Sequence, residues 1–407
     1  MARGVYFYTC PNCGGPTGDD RLLARLPCPK CLDERVAVES IVEVYELLQK
    51  NGRLREDSEL AFYARVEQEA RKVEELFEKA MGSRLWSAQR MWVRRVLKGK
   101  SFAIIAPTGV GKTTFGVLMA IYFASKGEKS YIVLPTTPLV MMVEEKARRL
   151  AEAAGVPARI LAIHSRLKTR ERRERLKRFL EADFDILITT SRFLISKLDT
   201  IKGVAKKFNG FRFVFVDDVD AVLKSGKSVD AVLQIVGFTE DDIRLGLEML
   251  RLQRELTRLP QKLQKVEDRE QARKIVEEYY SKLRSLQKKI EEAKKRASVL
   301  VVSSATGRPR GARVRLFRVL LGFEAGSRSE TLRNIVDAYT FPDDPSKLED
   351  KVAEIVERLG DGGLVYVPVD KGVEYAEKLA ELLRNRGIAA EAFTSKNYSA
   401  LERFRKG

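Results

Sequence analysis

Residues 106–113 read A-P-T-G-V-G-K-T, after an apolar strand-like run and at the opening of a helical one. A strand–loop–helix setting is what a phosphate-cradling loop needs. Gly109 and Gly111 let backbone N–H groups converge on phosphate oxygens. The helix N-terminus adds its partial positive charge. Thr108, Gly109, Val110, Gly111, Lys112, Thr113 and Thr114 are therefore the expected nucleotide seat. Lys112 is placed for the β- and γ-phosphates and Thr113 for Mg²⁺.

A phosphate loop needs an acid from a later strand. Phe211 to Val216 is apolar but for Arg212 and runs into Asp217-Asp218-Val219-Asp220. Asp217 is the expected metal-side carboxylate, and Asp218 the one that activates water. Paired acids at a strand end can alternatively cap a helix. Ser303-Ser304-Ala305-Thr306 ends another apolar run, where small hydroxyls can link the acid loop to a neighbour by hydrogen bonds.

A second chemistry sits at the start. Cys10, Cys13, Cys28 and Cys31 are all of the cysteines, spaced as two CxxC knuckles. Two such knuckles match a closed four-thiolate zinc site, structural rather than hydrolytic. Gly14 and Gly15 permit the tight backbone there. Two disulfides or a redox CxxC are the alternatives, but a redox motif needs no second pair and nothing points to secretion. Tyr6, Phe7 and Tyr8 lie beside the knuckles. Arg21, Arg25 and Lys30 are candidates for phosphate contact or for a solvated face.

These residues need elements to hold them. Helical periodicity covers 34–80, with a break at Asn51-Gly52. Short apolar runs at 101–106, 131–135, 158–164, 185–190, 211–217 and 298–304 alternate with helical stretches, which predicts a parallel sheet covered on both faces. Between about 221 and 297 the chain is charged and helical. It reads as an inserted helical hairpin broken at Pro260, or else as ordinary sheet-covering helices. Alternation resumes with strands at 334–341, 363–369 and 389–395 and helices at 346–359 and 373–386. The domains expected are a four-cysteine zinc module (1–35), a helical connector (36–84), an α/β nucleotide-binding domain (85–329) and a second, shorter α/β domain (330–407).

Composition sets the class. The 407 residues are 44% hydrophobic, which excludes bulk disorder, and carry 75 Lys+Arg against 57 Asp+Glu, a net charge of +18. A basic excess points to a polyanion, nucleic acid first. No run is long and apolar enough for a membrane span and no leader follows Met1, so a cytoplasmic protein is expected. Charged residues at 32% and a single histidine, His164, fit a protein of high-temperature origin. His164 reads as structural.

Taken together, A-P-T-G-V-G-K-T-T-F-G (106–116), V-D-D-V-D-A-V-L-K (216–224), S-S-A-T-G-R-P-R-G (303–311) and the preceding four-cysteine head resemble the superfamily-two helicases and, more narrowly, the reverse gyrases. Ala106 in place of the first Gly fits the helicase subclass, and D-D-V-D in place of D-E-A-D fits the narrower family. The resemblance implies an ATP-driven, helicase-like module that works with a type IA topoisomerase module, in the same or a partner chain, to introduce positive supercoils into DNA. ATP, Mg²⁺ and Zn²⁺ are the implied cofactors. Gln89 matches the adenine-reading glutamine, with Phe77, Trp86 or Met81 beside the base. Thr136, Thr190 and Arg192 match loops that hold a single or unwound DNA strand, and Ser304, Ala305 and Thr306 match the coupling loop. Arg308 and Arg310 open a basic run, 308–318, of five Arg and no acid and are expected to contact DNA; the resemblance also implies that 85–329 and 330–407 are RecA-like domains, the second incomplete.

The arginine-bearing motif of the second domain and a nucleophilic tyrosine are not visible. The chain is expected to act as a monomer and to bind nucleotide better than it turns it over. Residues 164–178 hold eight Lys/Arg and two Glu, a phosphate-contacting face or a solvated one. The rival readings are a DEAD-box RNA helicase and a non-catalytic, nucleotide-sensing DNA-binding module.

Overall fold

The computed structural model describes residues 4–33, 36, 38, 40–222, 225–264, 266, 268–305, 312–323, 340, 342, 344–360, 362–394, 397 and 399–406. The chain divides into two units, Met1–Thr331 and Leu332–Gly407.

The larger unit begins with a small antiparallel pair, β1 (Val5–Tyr6) and β2 (Thr17–Gly18), and a one-turn helix Asp19–Leu23. Helices Ile41–Lys50 and Glu59–Met81 follow. The first starts later than its periodicity predicts, because the Ser40 hydroxyl caps it by accepting from the Glu43 N–H. Cys10, Cys28, Cys31 and Leu32 are buried with Val44, Tyr45, Leu48, Leu60, Ala61 and Ala64. The knuckles and the connector therefore share one core.

All six runs expected between 101 and 304 are strands of one parallel sheet. They are β3 (Phe102–Ile105), β4 (Ser130–Leu134), β5 (Ile160–Ile163), β6 (Ile186–Thr190), β7 (Phe213–Val216) and β8 (Val299–Ser304). Their order is β3-β8-β7-β4-β6-β5. Side chains alternate between faces along a strand. Phe102, Ile132, Leu134, Phe213 and Phe215 join Phe115, Val117 and Ile121 of helix Lys112–Ser125 and Val140 and Val143 of helix Thr137–Ala153. Tyr131, Val133, Leu187, Val214 and Val302 face Val229, Val232, Leu233 and Val236 of helix Gly226–Val236. Two covered faces explain why the strands read as continuous apolar runs rather than alternating ones.

The predicted insertion is only partly separate. Helix Gly226–Val236 covers the sheet, as the alternative reading had it, while Glu240–Leu263 and Arg269–Lys294 form the hairpin. Even the hairpin roots in the main core through Ile243, Met249, Leu252, Leu286 and Ile290. Pro260 does not break it: the first helix runs through Pro260 to Leu263, within its last turn. A proline so near the end frees a single carbonyl on a mostly exposed stretch.

The smaller unit carries helices Leu348–Leu359, Gly372–Asn385 and Ser399–Lys406. The strands expected at 363–369 and 389–395 do not form; an isolated bridge, Thr394 to Asn397, is the pairing there among the described residues. Leu364, Tyr366 and Val369 are exposed at 80%, 81% and 87%. A parallel strand needs neighbours to take its hydrogen bonds, and apolar alternation alone does not supply them. The strand expected at 334–341 lies outside the described residues but for Thr340, which is irregular.

Candidate nucleotide and nucleic-acid site

Because all six strands are parallel, their carboxyl ends share one edge, the edge where open α/β sheets take ligands. The phosphate loop leaves β3 there. Gly109 and Gly111 have φ of +88° and +83°, a backbone that other residues adopt with strain. A Cβ on Gly111 would lie 3.1 Å from the Gln89 Nε2. The predicted base-reading amide therefore does sit against the loop, buried, with its Oε1 accepting from the Trp86 N–H. Of the three stacking candidates, Phe77 is 4% exposed and belongs to the core, which leaves Trp86 and Met81, at 46% and 41%.

Lys112 Nζ donates to the carbonyls of Ala106 and Pro107, 2.7 Å each. Burial lowers its pKa, opposed by the charges of Asp217 and Asp218. The Thr113 hydroxyl donates to Asp217 Oδ2. Thus the two residues assigned to Mg²⁺ meet, 104 positions apart in sequence. A hydroxyl and a carboxylate are the hard oxygen donors that ion takes. Asp218, exposed beside Asp217, has φ of +51°, a conformation Asp tolerates better than most residues.

The hydroxyls of β8 reach across to the acids. Ser303 donates to Asp217 Oδ1 and Ser304 to Asp220 Oδ2, both serines being fully buried. The strand end before Ala305 is thereby tied to the acid loop, as expected for Ser304. Ser303 belongs to the same run of small hydroxyls expected to reach the acid loop, whereas Asp220 stood in the quoted motif without a role. Lys146 was missed altogether. On helix Thr137–Ala153, its ammonium donates to the Thr114 hydroxyl. Nothing in M-V-E-E-K-A-R-R distinguishes it from a solvated lysine.

Three of the expected DNA-side residues come together. Leu134 of β4 is in register with Thr190 of β6. This brings the loop at exposed Thr136 beside Thr190, which caps the helix Ser191–Ser196, and beside exposed Arg192. Thr306, Arg308 and Arg310 lie outside the described residues. Farther along the same basic run, Arg313 is taken by Asp230 at 2.7 Å. Within 164–178, Arg175 is held by Glu144 and Glu171, and Arg178 by Asp183. Arg170, Arg172 and Arg173 remain exposed. His164 is buried, and burial lowers its pKa.

In the head, all four cysteine sulfurs lie within 4.8 Å of one another. Cys10 and Cys31 are 4.0 Å apart and Cys13 and Cys28 3.6 Å. A tetrahedral zinc with Zn–S bonds of about 2.3 Å holds its sulfurs about 3.8 Å apart, so the donor set fits. Burial raises the Cys10 thiol, but backbone N–H groups, that of Cys28 at 3.2 Å first, outweigh it and bring it to about 7. Asn12 donates to Cys31 Sγ at 3.2 Å and to the Arg53 carbonyl at 2.9 Å. Arg21 is not a phosphate ligand: it is buried and donates to the carbonyls of Pro27 and Leu32. Tyr6, Phe7 and Tyr8 are exposed.

Known proteins match both halves. Residues 1–50 fit the reverse gyrase zinc finger and residues 86–247 the DEAD/DEAH box helicase family. The chain is 52% identical to reverse gyrase 1 of Aeropyrum pernix, across all of this chain and 30% of that protein. It is 43% identical to reverse gyrase of Pyrococcus horikoshii, across all of this chain and 24% of that protein. Among solved structures, Mycobacterium smegmatis helicase Lhr bound to ssDNA and AMP-PNP overlaps 82% of this chain and 39% of its own, at 17% identity and a TM-score of 0.47. The chain thus spans between about a quarter and a third of the two curated relatives. Along its whole length the chain is thus similar to reverse gyrases, with a four-cysteine head that fits the reverse gyrase zinc finger and a following part that fits the DEAD/DEAH box helicases.

Proposed function

We propose that this chain is the ATP- and DNA-binding, helicase-like ATPase part of a reverse gyrase. In this reading it supplies nucleotide-driven movement to a type IA topoisomerase module that introduces positive supercoils. The observation that carries the reading is the convergence of Lys112, Thr113, Asp217 and Ser303 at one sheet edge. ATP would seat its phosphates on residues 108–114, its base against Gln89 and its triphosphate on Lys112. To do so, Lys112 must leave the carbonyls of Ala106 and Pro107. Magnesium, held by Thr113 and Asp217, would neutralise phosphate charge. Asp218 would orient the water that attacks the γ-phosphate in line.

Thr136, Thr190 and Arg192 would hold the DNA backbone without reading bases. The domains proposed are the zinc head, the connector, the RecA-like domain with its hairpin, and a partial second RecA-like domain. We place the protein in the cytoplasm, acting as a monomer. Among the described residues no helix is long and apolar enough to cross a membrane.

The test is ATP hydrolysis by the purified chain with and without single-stranded DNA, beside Lys112→Ala. A DNA-dependent rate above the Lys112→Ala control is expected. A rate no higher than that control would refute the motor role for this chain, leaving a nucleotide-sensing binding module. Stimulation by RNA alone would favour an RNA helicase.

A further inference from the structure

Lys146 occupies an unusual position for a lysine. It stands on helix Thr137–Ala153, half-buried, with its ammonium on the hydroxyl of Thr114 in the first turn of the phosphate-loop helix. Thr114 is itself buried. Among the described residues no carboxylate lies within ion-pair distance of this ammonium. Glu144, two positions earlier, is held by Arg148 and Arg175. Burial lowers the Lys146 pKa, Arg149 lowers it further, and Asp217 is the charge that opposes them. A half-buried cation with a neutral hydrogen-bond partner is costly to keep. The cost is offset when negative charge arrives nearby, and the phosphate loop is where it would arrive.

We propose that Lys146 is a positioning residue of the nucleotide site. It fixes the Thr114 hydroxyl and sets a second ammonium, after Lys112, behind the phosphate seat. Affinity for the nucleotide's phosphates then depends on it. This rests on the phosphate-loop reading above. It acts through Thr114, one residue beyond the Mg²⁺ hydroxyl of Thr113, where first-turn amides close on the inner phosphates. Lys112 serves the outer ones.

The experiment is titration of the 407-residue chain with Mg²⁺ and fluorescent mant-ATP, and separately with mant-adenosine, which has no phosphates. Variants are Lys146→Met, Lys146→Arg, Thr114→Val, the Lys146→Met/Thr114→Val pair, and Lys112→Ala, all measured well below their melting midpoints. Losing a charge-assisted hydrogen bond is expected to weaken mant-ATP on the order of tenfold in Lys146→Met, with mant-adenosine unchanged. Lys146→Arg should restore most of the affinity. The pair should lose less than the two single losses combined, because the residues act together. Equal losses for mant-ATP and mant-adenosine would mark a packing defect and overturn the proposal. So would wild-type affinity in Lys146→Met while Lys112→Ala loses it. If Lys112→Ala also binds like wild type, the phosphate-loop reading itself fails.

Discussion

Gly116 gives the most demanding check on how the site is held. It lies in the phosphate-loop helix, four residues and about one turn after Lys112, and packs on Phe215 of β7. A Cβ there would lie 2.5 to 2.6 Å from three ring atoms of Phe215. Ordinary contact needs about 3.5 Å, so Gly116→Ala must push helix and strand apart by about 1 Å. Phe215 is fully buried, among Phe213 and Phe115, and has no space to retreat into. Overpacking of this kind costs about 1–3 kcal/mol, while Ala in a helix regains about 1 kcal/mol over Gly. The net loss of stability is then at most about 2 kcal/mol, a few degrees of melting temperature in a unit of this size.

The functional loss should be larger. Asp217 follows Phe215 by two residues, and the Thr113 hydroxyl must still reach it. A misplacement of about 1 Å in a catalytic constellation can cost about 100-fold. We predict that Gly116→Ala melts within a few degrees of wild type and binds Mg²⁺ and mant-ATP at least tenfold more weakly. Phe215→Leu in the same chain should recover part of the affinity, since a smaller side chain relieves the contact. A Gly116→Ala protein that melts higher and binds nucleotide as tightly as wild type would refute the reasoning.

Other predictions follow from single contacts. Chelating zinc, or Cys28→Ser, should remove the head's metal and loosen the shared core around Val44 and Leu60; loss of helical circular dichroism together with release of one zinc per chain checks it. Arg21→Ala should leave the Pro27 and Leu32 carbonyls unpaired and cost about 1.5–3 kcal/mol, read by denaturant unfolding. Burial raises the Glu69 carboxyl, but hydrogen bonds from Lys72, Tyr122 and Lys126 outweigh it and lower it from 4.5 to about 2. Its stabilisation is therefore present above pH 4.5 and lost as pH falls through about 2. Glu69→Gln should be less stable than wild type at neutral pH, with the gap closing across that window in acid unfolding. Arg192→Ala should weaken single-stranded DNA binding and make its salt dependence shallower by about one counterion, as a phosphate contact would.

The parts of the fold that could be read in advance are those that advertise themselves locally. Each strand of the sheet is a short apolar run because it is buried on both sides, so β3 to β8 were visible with ends off by no more than two residues. The cysteine pairs and the phosphate loop are fixed by spacing within a few residues. What was hidden depends on partners distant in sequence. Lys146 gains its role from Thr114, 32 positions away. Arg21 looked like surface charge until the turn to Pro27 and Leu32 enclosed it. Leu364, Tyr366 and Val369 carry a strand's pattern, but the pattern encodes one strand and not the neighbour it must pair with. Pro260 signals a helix break only if its freed carbonyl is costly, and at the exposed end of the hairpin it is not.

The central claim is that nucleotide and DNA bind this chain at one sheet edge and are linked. Linkage is reciprocal, so DNA must change nucleotide affinity if nucleotide changes DNA affinity. The direct measurement is the Kd of Mg²⁺ and mant-ATP for the 407-residue chain, with and without saturating single-stranded DNA, repeated with Thr190→Ala/Arg192→Ala. Tighter nucleotide binding in the presence of DNA, lost in the double variant, is the result expected. The same Kd with and without DNA, in a chain shown to bind both, would contradict it.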